Sequence, residues 1–567
     1  MTGKQLSIAI TGAGGAGVIS VGELLLQASA KEGGRGLLRK AFGPQIRGGE
    51  SAALLKLTET ERYTPANEYD LLLAFDWNNF SRFGDEIRLV PGAVVICEEK
   101  SDPPEEVLAA QPNLIRLPMA QLASSAHADG RVNMFALGLL GKLLGLPGDS
   151  LSQLAQQKLK NKPEAYREAA STCITSGVKN APDMVLSVPA PGEPGAWYIS
   201  GNQAAGLGAL EAGVRFVAAY PITPASDVLE WMAGGLEKLN GDLVQAEDEL
   251  AAINMTIGAA FGGVPSFTAT SGPGLALMTE SIGLAVASET PVTILNVMRG
   301  GPSTGIPTKS EQSDLDIALH GLHGDAPHLV LAPLDIADCV YTSAWAVTLA
   351  QSLQTAAIVL SDQFIGQSTA VISEPKRCAP AVLAEQEQDN SYLRYRLTES
   401  GVSTLAAPGD AEQRFTADGL EHNEKGTPSA RDDDHQRQLE KRARKLSDHD
   451  YGDAWARIEG RGTVALVCFG SASAAVSEAA EILSGQGISA CTVSLRLLAP
   501  LQQVRLQAAL ANCDRVFVVE QNHSGQLFRY LRSMMDFKQP VHRYSRAGPV
   551  PLSGHDIAAA VAQESKP

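Results

Sequence analysis

Four loops between positions 219 and 315 gather the residue types of a ligand site. Tyr220-Pro221-Ile222-Thr223-Pro224 places a hydroxyl between two prolines. Proline fixes its own φ and pushes the residue before it out of the helical region, so this loop is stiff and holds Thr223 in place. Glu247-Asp248-Glu249 sets three carboxylates at the start of an alanine-rich run, where acids suit the positive end of a helix. Ser271-Gly272-Pro273-Gly274 ends a β-type run and precedes helical spacing, the arrangement in which backbone N–H groups become free to hold a ligand. The fourth loop, Met298 to Lys309, carries Arg299 and Thr308. Taken singly, these are turns and helix caps. Taken together, a threonine, a glutamate, a serine and an arginine form a convergent polar site.

Each loop follows an apolar, strand-like run: Arg215 to Ala219, Leu243 to Ala246, Ser266 to Thr270, and Pro291 to Val297. In an open parallel sheet all four would lie on one edge. Helical spacing continues from the acids to about Gly262 and from Leu275 to Ala287. A helix from Gln203 to Ala212 opens this unit. A short strand Leu329 to Leu331, a helix Ile336 to Leu353 and a strand Ala356 to Ser361 close it near Phe364.

The segments YPITPASD, EDELAAINMTIGAA, TATSGPGLALMTESIGLA and RGGPSTGIPTKSEQSDL resemble, nearly without a break, the pyrimidine-domain motifs of the alpha subunit of 2-oxoacid:ferredoxin oxidoreductases. The resemblance implies an enzyme that uses thiamine diphosphate to decarboxylate a 2-oxoacid, sends two electrons through iron–sulfur centres to ferredoxin and transfers the acyl group to coenzyme A. It also implies a carboxylate hydrogen-bonded to N1′ of the aminopyrimidine, which lets the cofactor's own amino group take the C2 proton. Glu249 best fits the motif spacing ahead of Ala252 and Gly258-Ala259, with Glu247 as the alternative. By the same resemblance Tyr220, Pro221, Ile222, Thr223, Ser271 and Gly272 join Glu249 in binding the cofactor. A 2-oxoacid carboxylate calls for a cation and hydroxyl donors, for which Arg299, Thr223 and Thr308 stand ready. The catalytic set is thus Glu249, Thr223 and Arg299.

The chain has 567 residues, enough for three or four domains, with 44% hydrophobic and 19% charged residues, the balance of a globular protein. A net charge of −17 argues against a nucleic-acid surface. No charged leader precedes an apolar segment, and the longest apolar run, Met134 to Leu146, is interrupted by Lys142. No membrane association and a cytoplasmic location are expected. Seven cysteines are scattered with no C-x-x-C pair, so they read as reduced buried thiols, and no iron–sulfur ligand set is present.

An α/β, multidomain chain is expected. Residues 1–185 form a Rossmann-like first unit, in which Leu6 to Thr11 is a strand and Val18 to Ala30 a helix. Between them Gly12-Ala13-Gly14-Gly15-Ala16-Gly17 satisfies a dinucleotide expression. The acid that would read a ribose is missing after the second strand, so these glycines serve either close packing or anion binding. ITGAGGAGV and FGPQIRGGESAALLKL resemble the gamma subunit of the same family, fused ahead of the alpha part. Arg47, beside two glycines, would meet either coenzyme A phosphates or a substrate's distal carboxylate.

Residues 186–198 are a Pro/Gly-rich linker, 199–384 the pyrimidine-binding unit, and 385–460 a charged insertion that reads as a solvated helix or mobile surface. Its histidines, His422, His435 and His449, lack metal spacing, so no metal is assigned. Residues 461–567 resemble a transketolase C-terminal domain, in which Glu520 and His523 are read as structural.

Mg²⁺ for thiamine diphosphate typically sits on a G-D-G loop, and GDG occurs nowhere in the chain. The chain therefore holds the pyrimidine half of the cofactor. A beta subunit is expected to supply the Mg²⁺–diphosphate loop and a [4Fe–4S] cluster, in an (αβ)₂ heterotetramer that reduces ferredoxin. The gamma–alpha fusion together with GPSTGIPTK most resembles the 2-oxoglutarate branch of the family, which implies 2-oxoglutarate as substrate. Pyruvate, branched-chain and aryl 2-oxoacids, and a non-catalytic assembly role, are the alternatives.

Overall fold

The computed structural model describes residues 5–43, 49–61, 63–192, 196–381, 392–410 and 413–564. It divides into two compact units, Met1–Ser200 with Gln367–Glu374, and Gly201–Gly366 with Pro375–Pro567. No helix among the described residues is long and apolar enough to cross a membrane.

The first unit is built on an eight-stranded sheet. Asn113–Leu117, Leu89–Glu98, Tyr69–Ala74 and Gln5–Ala13 run parallel, and Glu50–Thr58 then pairs antiparallel with Gln5–Ala13. Arg35–Phe42 continues the antiparallel half. The sheet then takes in Thr369–Ile372, which pairs with Arg35–Phe42 on one side and Trp197–Ser200 on the other. These last two strands come from the edge of the expected linker and from inside residues 199–384. Edge pairing is set by long-range partners that local sequence spacing does not reveal.

In the glycine turn of this unit, a Cβ at Gly12 would lie 3.0 Å from Phe75 Cβ and one at Gly17 would lie 2.2 Å from Asn133 Nδ2. Gly17 also has φ 85°, which favours glycine. The Ala13 N–H donates to the Asp76 carboxylate at 2.9 Å. Close packing accounts for glycine at positions 12 and 17.

The second unit contains a seven-stranded sheet in the order Leu497–Ala499, Leu329–Leu331, Ala356–Asp362, Val292–Met298, Ser266–Thr270, Phe216–Ala219 and Asp242–Gln245. All its neighbours pair in parallel except the Leu497–Ala499 edge. Val292–Met298 and Ala356–Asp362 are buried along their whole length, as strands covered on both faces must be. A five-stranded sheet, Ala456–Gly460, Ala490–Leu495, Val464–Phe469, Arg515–Glu520 and Val541–Ser545, carries the C-terminal part.

The charged insertion corrects the expectation of a solvated face. Asp432–Ser447 is a helix, and Gln438, Lys441, Arg442 and Lys445, spaced i, i+3, i+4, i+7, are buried. Lys441 Nζ and Lys445 Nζ lie 2.7 and 2.9 Å from the two carboxylate oxygens of Glu289, all three side chains being at most 1% exposed. Arg394 donates to the Ser288 and Glu289 carbonyls. The run is charged because its apolar-like stripe is a buried ion cluster with a partner far away in sequence. Residues 385–391 lie outside the described residues.

Candidate active site

Because the central strands are parallel, the four loops leave the sheet at one edge, as the spacing predicts. The three acids separate there. Asp248 is the N-cap of helix Glu249–Phe261, its carboxylate accepting from the Ala251 N–H at 2.7 Å. Glu247 stays outside the helix and exposed, whereas Glu249 is buried at 7%. Among the described residues no donor reaches the Glu249 carboxylate.

Gly272 opens helix Gly272–Ala287, and Ser271 caps it by position only. The Ser271 hydroxyl is fully buried without a partner. A Cβ at Gly274 would lie 2.9 Å from Glu249 Oε1, and one at Gly272 would lie 2.7 and 2.8 Å from the two carboxylate oxygens of Asp314. The glycines thus let two carboxyl groups close onto the start of this helix.

Thr223 and Arg299 come together. The guanidinium donates to the Thr223 carbonyl at 2.5 Å, and its Nε is buried with no partner. Arg299 is 7% exposed, and among the described residues no carboxylate lies within ion-pair distance of it. Burial pulls its pKa below the ordinary value, against the opposing charge of Asp314. Asn202 holds the proline loop by donating to the Pro224 carbonyl at 2.9 Å. Tyr220 stays partly exposed, and Pro221 and Ile222 are half-buried. Thr308 is buried, its carbonyl accepting from Gln363 Nε2 at 2.8 Å. Arg47 lies outside the described residues.

Three residues that the sequence reading passed over complete the edge. Asn296, on strand Val292–Met298, donates to Asp314 Oδ2 at 2.9 Å and keeps its own Oδ1 unpartnered. Burial pushes the Asp314 carboxyl up to about 6. Glu311 adds to that rise, and the Asn296 hydrogen bond and the Arg299 charge oppose it. Gln312 fixes the loop behind Arg299. Its N–H donates to the Gln521 carbonyl at 2.8 Å, its Oε1 accepts from the Gln521 N–H at 2.9 Å, and its Nε2 donates to the Phe469 carbonyl at 2.8 Å. The signal was present in SEQSDL, read there only as part of a motif.

Glu520 is buried and accepts from the Leu527 and Phe528 N–H groups and from Asn522 Nδ2, while His523 is exposed. Glu520 therefore caps helix Gln526–Met534. All seven cysteines are free, six of them buried and Cys378 half-buried, and no group of metal-ligating side chains occurs among the described residues.

An aminopyrimidine needs a carboxylate for its ring nitrogen and polar atoms for its edge. Glu249, buried without a donor among the described residues, and the orphaned Ser271 Oγ meet that need, and glycine at position 274 lets the Glu249 carboxylate pack against the helix start. The residues fit the pyrimidine half of thiamine diphosphate, and this sheet edge defines a thiamine-diphosphate-binding α/β protein.

Comparison with known proteins agrees. Residues 207–441 match the family model described as pyruvate flavodoxin/ferredoxin oxidoreductase, thiamine diP-bdg. Residues 7–179 match pyruvate ferredoxin/flavodoxin oxidoreductase, and 463–557 match pyruvate:ferredoxin oxidoreductase core domain II. The 2-oxoacid:ferredoxin oxidoreductase subunit alpha of Saccharolobus solfataricus is 32% identical over 71% of this chain and 67% of its own. The 2-oxoglutarate synthase subunit KorA of Archaeoglobus fulgidus is 38% identical over 58% of this chain and 89% of its own. A solved 2-oxoglutarate:ferredoxin oxidoreductase from Magnetococcus marinus, with 2-oxoglutarate, coenzyme A and succinyl-CoA bound, superposes with a TM-score of 0.90 at 34% identity over 100% of both chains. The chain belongs to the 2-oxoacid:ferredoxin oxidoreductases, and its named relatives are alpha subunits.

Proposed function

We propose that this chain, with a partner subunit, converts 2-oxoglutarate, coenzyme A and oxidised ferredoxin to succinyl-CoA, CO₂ and reduced ferredoxin, or runs the reverse carboxylation. The observation that carries the reading is Arg299: a buried guanidinium without a carboxylate of its own, at the same sheet edge as the buried Glu249. A buried cation left unpaired is costly unless a ligand supplies the anion. The likeness along the whole chain to an oxidoreductase solved with 2-oxoglutarate bound supports that substrate.

When bound, thiamine diphosphate supplies the carbanion that attacks the 2-oxo carbon. Glu249 holds a proton at the aminopyrimidine ring nitrogen, and burial keeps water from competing for its carboxylate. Arg299 grips the substrate carboxylate with the N–H groups that the Thr223 carbonyl does not occupy, and that carbonyl fixes the plane of the fork. The hydroxyls of Thr223 and Thr308 serve as donors to the same substrate, and Tyr220, Pro221, Ile222, Ser271 and Gly272 line the cofactor's pyrimidine side. Arg47 remains assigned to coenzyme A or to the distal carboxylate.

The diphosphate, its Mg²⁺ and the [4Fe–4S] cluster belong to a beta subunit in an (αβ)₂ assembly, with ferredoxin as the acceptor. Support comes from the apolar residues left exposed around the site: Leu250 and Met255 on helix Glu249–Phe261, Leu277 on helix Gly272–Ala287, and Ile306 on the arginine loop. A cytoplasmic location goes with this chemistry.

The test is to isolate the chain with its native partner and follow viologen reduction that depends on 2-oxoglutarate and coenzyme A, against a panel of 2-oxoacids. Activity confined to another 2-oxoacid moves the substrate, and a stable complex inactive on all of them leaves the assembly role. Arg299→Lys is expected to raise the KM for the 2-oxoacid by roughly tenfold or more, since an ammonium cannot reproduce a bidentate fork. The KM for coenzyme A should not move, and equal changes in both constants would remove Arg299 from the substrate.

A further inference from the structure

Among the carboxyl groups that the mechanism above does not use, Asp314 stands apart. Among the described residues its carboxyl has one hydrogen bond, from Asn296 Nδ2. Both its oxygens press on Gly272 at the start of a 16-residue helix, so tightly that a methyl group there would lie 2.7 Å away. The charged groups acting on it are Arg299, which favours ionisation, and Glu311, which opposes it. From the neighbouring helix, Glu249 approaches Gly274, two residues along from Gly272. Arg299 is close enough to feel the Asp314 charge yet not ion-paired with it. An anion held by Arg299 therefore arrives beside a second negative charge.

Resting on the reading of Arg299 as the substrate anchor, we propose that Asp314 is a positioning residue that sets the charge of the arginine pocket, taking up a proton when the substrate carboxylate binds and releasing it when that carboxylate leaves as CO₂. The proton comes from solvent and returns to it, and no electrons move. Burial already brings the Asp314 carboxyl to about 6, so a further anion raises it into the neutral range. Binding and protonation are then linked reciprocally: whatever raises the carboxyl's proton affinity is weakened by its ionisation. Affinity for the 2-oxoacid accordingly falls as pH rises above about 6. The decarboxylation step sheds the negative charge that Asp314 opposes, so ionised Asp314 favours the state after CO₂ has left.

The test compares the wild-type complex with Asp314→Asn, an isosteric change that keeps an acceptor for Asn296. Between about pH 5.5 and about pH 8.5, wild-type kcat/KM for 2-oxoglutarate is expected to fall roughly tenfold, a coupling within the usual range for linked sites. In Asp314→Asn it should vary less than about twofold, with the KM for coenzyme A unchanged in both. A variant that keeps the wild-type break overturns the proposal. A second measurement needs neither turnover nor the variant: calorimetric binding of glutarate to the wild-type complex near neutral pH, in two buffers of different ionisation enthalpy. Uptake of a fraction of a proton supports the assignment, and none refutes it. Failure of the wild type to turn over any 2-oxoacid would strike at the enzymatic reading instead, and the glutarate experiment would still decide this one.

Discussion

Glu249→Gln is expected to lower kcat by roughly 10²–10⁴-fold, the usual weight of one positioned proton-transfer group, while the complex assembles and melts as before. The amide keeps the shape of the side chain and its packing against Gly274. It cannot accept and hold a proton as a carboxylate does. Glu247→Gln is the matched control, because Glu247 is exposed and lies outside the helix, whereas Asp248 caps it. That variant should stay within about twofold of wild type, as surface changes away from a site usually do. Rates of 2-oxoglutarate-dependent viologen reduction at saturating substrate decide between them. Full activity in Glu249→Gln, or loss confined to Glu247→Gln, would move the cofactor's carboxylate to the other acid.

The second large effect concerns stability. Glu289→Gln should destabilise the second unit by about 3–5 kcal/mol, the loss seen when one partner of a buried ion pair is removed. The carboxylate is fully buried between Lys441 and Lys445, and its removal leaves cations facing one another with no anion. Burial alone would raise the pKa of Glu289, but Lys441, Lys445 and Arg394 outweigh it and hold the group well below the usual carboxylate range. The sign follows from that lowering. The stabilisation is fully present above the unfolded value of 4.5 and is lost as pH falls below it. Urea unfolding of wild type and variant at neutral pH measures the difference, and a change under about 1 kcal/mol would mean that the cluster is structurally idle. Converting Glu289, Lys441 and Lys445 together to apolar residues should recover part of the loss, since Arg394 is then the cation left buried, held by the Ser288 and Glu289 carbonyls and Gln354.

The parts of the fold that were legible in the sequence were those decided locally. Apolar strands broken by glycine or proline announced the parallel sheet, and the helix Ile336–Leu353 has the bounds its spacing predicts. The motif spacing singled out Glu249 among three acids, and Glu249 is the one of the three that the fold buries. What was hidden depends on partners far away in sequence. Lys441 meets a carboxylate 152 positions earlier, so its stripe looked like a solvated face. Asp314 was passed over inside a longer motif, and only the contact with Gly272, from another loop, gives its carboxyl a role. Gln312 is an unremarkable polar residue until Gln521, 209 positions on, supplies its partner.

The strand Thr369–Ile372 has a consequence for how the two halves of the chain were joined. Its backbone completes Arg35–Phe42 on one side and supports Trp197–Ser200 on the other. The chain thus leaves the first unit, traces most of the seven-stranded sheet, returns for one strand and departs again. Two units joined end to end would each be continuous in sequence, whereas here the first unit takes in residues 367–374 from beyond most of the second. A gene cut at the proline-rich connector would yield a six-stranded remnant ending on Arg35–Phe42, its open edge a template for self-association. The fusion cannot be undone by proteolysis or recombination at that point without exposing an adhesive edge.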